Sequence, residues 1–278
     1  MGGRDALPCQ FMSPNGQVAP LTGPPPTWDG SYERVPGAVV VGDFDLAGGE
    51  WFPPHRHSVH QLVWSRKGVG SVRIGEATWF LPRTLALWIP AGVVHATGAI
   101  DPSWNRSPYF LPERCPVHWP EPTVVAVTPL LAALIDHLAD FGLATDQRIR
   151  AEGVVFDMLR PLSEVAIPLP MPSDARAARI ASALIEDPAD GRTLDQWGTD
   201  VGASARTLRR VFQAETGLSF GRWRTHARLR AAMPVLATGQ PVAAAARRAG
   251  YGSASAFVAA FHRTVGMPPG QYFARDLG

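Results

Sequence analysis

A chain of 278 residues with 46% hydrophobic and 18% charged residues has globular composition and the length of two ordinary domains, each able to bury its own core. No uninterrupted apolar run reaches the roughly 18 residues that a bilayer span needs, and the start, Met1 to Pro8, lacks the basic and apolar runs of a secretory signal; the expectation is a cytoplasmic protein with no membrane partner. Net charge is only +2, but residues 173–278 hold 14 Arg, no Lys and 8 acidic residues for a net +6, against −4 for residues 1–172. The basic part suits a polyanion. Because Lys67 is the one lysine of the chain, arginine richness alone leaves nucleic acid as one option among several. Two cysteines, Cys9 and Cys115, exclude a disulfide framework and a Cys-based zinc site.

Residues 1–30 are rich in Pro, Gly and polar residues, such as Gly23 to Pro26, and read as a mostly flexible arm. Residues 31–128 carry short β-branched or alternating runs cut by Gly and Pro, among them Val39 to Val41, His60 to Trp64, Leu85 to Ile89 and Thr123 to Val127. Closely spaced short strands predict a sandwich or small barrel. Over 129–172 the period becomes helical: Leu130, Leu131, Leu134 and Leu138 fall on one face, and Ile149 to Leu159 predicts a second helix. The pair is a connector or a dimerisation element. Pro168-Leu-Pro-Met-Pro172 then breaks any helix and is the candidate linker to an all-helical region at 173–278.

That last region repeats itself at an offset of 49 residues: Ser204 aligns with Ser253, Leu208 with Phe257, Phe212 with Phe261, Gly217 with Gly266 and Trp223 with Tyr272. In each copy Ser caps a helix, apolar residues four apart make a buried face, and Gly ends the helix in a left-handed cap. A shorter helix and a tight turn precede each capped helix, Leu194 to Asp200 with Gly202 and Val242 to Arg248 with Gly250. Helix, turn, helix therefore occurs twice. Phe220 to Ala237 predicts a longer helix between the copies, with Pro234 expected to kink it. Two such units about 34 Å apart meet successive major-groove turns on one face of B-DNA.

The ordered set Leu194, Trp197, Gly202, Ser204, Leu208, Phe212, Gly217, Arg228, Ala232, Ala249 to Tyr251, Ser253, Phe257, Phe261, Gly266, Pro269 and Tyr272 resembles the AraC/XylS family of transcription regulators over the last hundred residues. The resemblance implies that the second helix of each unit, Ala205 to Glu215 and Ala254 to Val265, enters the major groove of double-stranded DNA. Arg206, Arg209 and Arg210 lie off the buried face of the first such helix and suit guanine or phosphate. Ser255, Ala256, Val258 and Ala259 stand where relatives often place an Arg, so the second helix is expected to read few bases, with His262 and Arg263 on phosphates. With the capping residues Ser204 and Ser253, these make the candidate DNA-binding set. Trp197, Trp223 and Tyr251 read as core.

In the β-rich region, Gly49, His55, His57, Gln61 and Gly68, followed by Pro90, Gly92 and His95, resemble the two cupin motifs, with Gln in place of the usual Glu. Alternation along a strand puts His55 and His57 on one face and a hairpin brings His95 opposite. Three imidazoles and the Gln61 oxygen suit a divalent ion such as zinc, nickel, iron or manganese, and an effector pocket without metal uses the same residues; both readings stand at this point. Trp64, Trp79 and Trp88 are candidate pocket linings, and His60 points away. The expected architecture is α+β in two domains, a cupin-like β-barrel followed by an all-α tandem helix-turn-helix domain. The expected function is a non-enzymatic, homodimeric DNA-binding regulator that senses a small molecule or metal. A metal-dependent cupin enzyme of dioxygenase or isomerase type has no use for two spaced helix-turn-helix units, and a non-DNA interaction protein predicts no salt-sensitive DNA binding.

Overall fold

The computed structural model describes residues 9–12, 18–21, 37–140, 142–162 and 167–273. Within the expected arm, strands β1 (Cys9–Met12) and β2 (Val18–Leu21) pair antiparallel; its remaining residues lie outside the described ones. The β-rich part continues with β3 (Val39–Leu46), β4 (His60–Lys67), β5 (Gly70–Ile74), β6 (Ala77–Leu81), β7 (Leu85–Ile89), β8 (Ala96–Ala99), β9 (Ser103–Phe110), β10 (Thr123–Ala126) and β11 (Pro161–Leu162). Eight strands form one sheet in the order β11-β10-β7-β4-β9-β3-β1-β2, and three form another, β6-β5-β8. The two sheets are not closed into one hydrogen-bonded ring among the described residues. The expected barrel is thus an open cupin-like roll.

Helices α1 (Pro129–Leu138) and α2 (Thr145–Met158) cover one face of the large sheet. Thr128 Oγ1 accepts from Leu131 N–H, and Pro129 needs no partner in the first turn. The buried stripe of α1 is Leu131, Ile135 and Leu138, packed with Val39, Val41, Leu62, Trp64, Trp88 and Phe110 of the sheet. Each such large side chain contributes roughly 1.5–3 kcal/mol on burial. Leu130, expected on this face, is 56% exposed, because it lies about 100° around α1 from Leu131, off the stripe of Leu131, Ile135 and Leu138 that the sheet buries.

Residues 167–273 belong to a second compact unit of α3 (Ala175–Glu186), α4 (Leu194–Val201), α5 (Ala205–Thr216), α6 (Phe220–Ala237), α7 (Val242–Arg248), α8 (Ala254–Val265) and α9 (Pro269–Tyr272). Ile180, Leu184, Trp197, Leu208, Phe212 and Trp223 share one core. The Pro-rich stretch belongs to this unit: Leu169 joins that core and Ile167 is buried. Helix α6 spans 18 residues and runs through Pro234. Among the described residues no helix is long and apolar enough to cross a membrane.

Candidate nucleic-acid interface and effector site

Helices α4 and α5 make the first helix-turn-helix unit, α7 and α8 the second. Their ends follow from local chemistry. Ser204 Oγ accepts from Thr207 N–H at 3.1 Å and Ser253 Oγ from Ala256 N–H at 3.1 Å, while Gly217 and Gly266 close α5 and α8 at φ 70° and 83°, backbone that favours glycine. Each serine oxygen thus accepts from the first turn of its helix and fixes where α5 and α8 begin.

Leu208 and Phe212 are fully buried in α5, and Phe257 and Phe261 in α8. The opposite faces are free: Arg206, Arg209 and Arg210 are exposed and line an open concavity with Gln213 and Ser219. On α8 the exposed residues are Ser255, Ala256 and Ala259, then His262 and Arg263 in the last turn. Trp197 and Trp223 are core, as expected, and Tyr251 is half-buried against Phe257. Arg192 sits 3.4 Å over the Trp197 ring.

In the β-rich unit the candidate ligands do converge. His55, His57 and His95 bring ligand atoms within 4.8 Å of one another. The route differs from the expected strand: residues 56–59 are not strand, and His55 instead makes an isolated antiparallel bridge to His95, with N–H···O bonds of 2.9 Å both ways. Gln61 from β4 places Oε1 3.0 Å from His57 Nε2 and 3.1 Å from His95 Nε2. Burial, with smaller effects from the neighbouring imidazoles, pushes His95 down to about 4, and burial lowers His55 as well. Both shifts favour the neutral imidazole, the state that ligates a metal. His60 stacks on Trp88 with centroids 4.9 Å apart and accepts from Ala91 N–H, away from this cluster.

The tryptophans are a correction. Trp64 and Trp88 belong to the core under α1 and α2, on the sheet face opposite Gln61 and Val63, because strand side chains alternate. Trp79 is buried in β6 and does not line the cavity beside His55 either. That cavity is lined by Phe44, Phe52, Gln61, Asn105, Ser107 and Tyr109, among others, and no Arg, Lys, Asp or Glu takes part. Tyr109, whose hydroxyl accepts from Gln61 Nε2 at 3.1 Å, was not singled out from sequence. The signal was present: Asn105, Ser107 and Tyr109 repeat every second residue in β9 and mark a polar inner face.

Residues 47–115 match the AraC-like ligand binding domain family, and residues 197–275 match a helix-turn-helix domain family. The HTH-type transcriptional regulator NimR of Escherichia coli is 30% identical over 238 residues, 80% of this chain and 82% of NimR. The chain belongs to the AraC family of transcription regulators. It is thus a DNA-binding regulator with an effector-sensing domain. The HTH-type transcriptional regulator RipA of Corynebacterium glutamicum is 36% identical over 111 residues, 40% of this chain and 33% of RipA. ToxT from Vibrio cholerae aligns over 85% of this chain and 98% of its own at 9% identity with a TM-score of 0.35, too low to add to the family relation.

Proposed function

We propose that the β-rich unit holds a divalent metal ion on His55, His57, His95 and Gln61, and that this site gates sequence-specific DNA binding in which α5 reads bases and α8 grips phosphate. The carrying observation for sensing is the convergence of three imidazoles within 4.8 Å. For the division of DNA labour it is the contrast between Arg206, Arg209 and Arg210 on α5 and the small side chains Ser255, Ala256 and Ala259 on α8. Three imidazoles and an amide oxygen suit zinc, nickel, iron or manganese, and such an ion would supply fixed positive charge within the β-rich unit.

A homodimer through α1 and α2 is part of the proposal; Leu130 on α1 and Ile149 and Val154 on α2, 56%, 53% and 42% exposed, are the apolar residues it would cover. Selection of bound duplexes from a random pool by the purified chain, with and without added metal, tests the main reading. It is expected to return one preferred sequence class; recovery of unrelated sequences overturns it. Sedimentation of Leu130→Glu with Ile149→Glu tests the dimer, with monomer expected where the native chain is a dimer.

A further inference from the structure

His55, His57 and His95 each bond through Nδ1 to a backbone carbonyl, those of Pro53, Val59 and Val93, at 2.8, 2.8 and 2.9 Å. A carbonyl oxygen only accepts, so each Nδ1 carries the proton, and each Nε2 of a neutral ring is a bare lone pair. Gln61 Oε1 sits against two of these nitrogens, while its own Nε2 donates to Tyr109. Acceptors therefore face acceptors where His57, Gln61 and His95 are all more than nine-tenths buried. Left alone this arrangement is unfavourable. A cation among the lone pairs makes it favourable, and the three Nδ1–H···O=C bonds are the outer contacts that orient imidazole ligands. Without a cation a half-turn of the Gln61 amide relieves the conflict: its NH2 then donates to the two imidazoles and its oxygen accepts from the Tyr109 hydroxyl.

Tyr109 sits next to Phe110, whose ring lies on the other sheet face, 5.0 Å from Trp88 and 6.0 Å from Phe156 of α2. A change at the Tyr109 hydroxyl thus lies one residue from the core that seats α2.

We infer that a divalent cation is a regulatory ligand of the β-rich unit, and that Gln61 registers its arrival by turning its amide against Tyr109. This rests on the metal reading proposed above.

The test uses the full chain stripped by a chelator, then dialysed against zinc, nickel or manganese chloride in buffer free of other small molecules. Bound metal per chain and affinity for a selected duplex are both measured. One ion per chain is expected, with stripped and loaded affinities differing roughly 5- to 150-fold. Gln61→Glu keeps the ion. Tyr109→Phe keeps the ion too, melts as one folded species, and brings the stripped-to-loaded ratio toward one. One ion per chain with equal DNA affinity in both states overturns the inference and leaves the metal site standing. No stoichiometric ion overturns both and leaves only the DNA-binding reading. A Tyr109→Phe chain with the full native ratio overturns the role of the amide.

Discussion

The indole Nε1 of Trp223, in α6, donates to the backbone carbonyl of Pro170 at 2.7 Å. One turn further on, His226 Nδ1 donates to the Pro168 carbonyl at 2.7 Å. The Pro-rich stretch is therefore strapped along α6 and does not behave as a free tether. Trp223→Phe removes the donor to the half-buried Pro170 carbonyl, and a cost of about 0.5–1.5 kcal/mol is expected. Urea unfolding of the full chain reads it; an unchanged midpoint would show that the strap adds no stability.

On the DNA side, Arg206 and Arg210 are exposed on α5 and Arg263 at the end of α8. An Arg that grips a guanine loses roughly 1–3 kcal/mol of preference at one or two base pairs when changed to Ala. An Arg that touches only phosphate weakens all sequences alike and lowers the salt slope by about one unit. Arg206→Ala or Arg210→Ala is expected to show the first pattern and Arg263→Ala the second. Titration against matched and scrambled duplexes at several salt concentrations separates them. Unchanged specificity in both α5 variants, with loss in Ala259→Asp, reverses the assignment.

Glu152 of α2 is buried and its carboxylate accepts from the N–H groups of Ala38 and Val39 at 2.8 and 3.1 Å. Four residues earlier Arg148, also buried, donates to the carbonyls of Leu138 and Asp140. Together they tie α2 to the start of β3 and to the end of α1. Glu152→Ala orphans two backbone donors and is expected to cost about 2–5 kcal/mol, while Glu152→Gln, which can still accept one, costs less. Equal melting temperatures for the two variants would contradict this.

Burial holds His95 at about 4 and lowers His55, against roughly 6.5 in the unfolded chain. The unfolded state takes up these protons first as pH falls, so the stability is fully present above about pH 6.5 and is lost between there and pH 4. For His95 alone the loss reaches about 3 kcal/mol. Urea midpoints of chelator-treated protein at pH 7, 6, 5 and 4.5 check it, as approximate settings around these pKa values; His95→Gln is expected to flatten the decline.

Much of the helical half was legible because its signals are local. The span Phe220–Ala237 was expected and is observed, and Ser204, Ser253, Gly217 and Gly266 cap the helices they were expected to cap. The β-rich half was legible in its histidines but not in its facing. Whether Trp64 or Val63 points to the cavity depends on which sheet face α1 and α2 cover, and no window of sequence carries that. The burial of Arg148 and Glu152 is not legible in any local window, since the partners of Glu152 lie more than a hundred residues away.

The proposed DNA-binding mode is two helix-turn-helix units engaging one duplex in series, α5 on bases and α8 on phosphate. A hydroxyl-radical footprint of the full chain on a duplex recovered by selection tests it most directly. Two protected stretches on the same face, about one helical turn or 10 base pairs apart, are predicted, with the α5 stretch holding the bases whose change costs most. A single protected stretch, or equal protection of a scrambled duplex, would contradict the account.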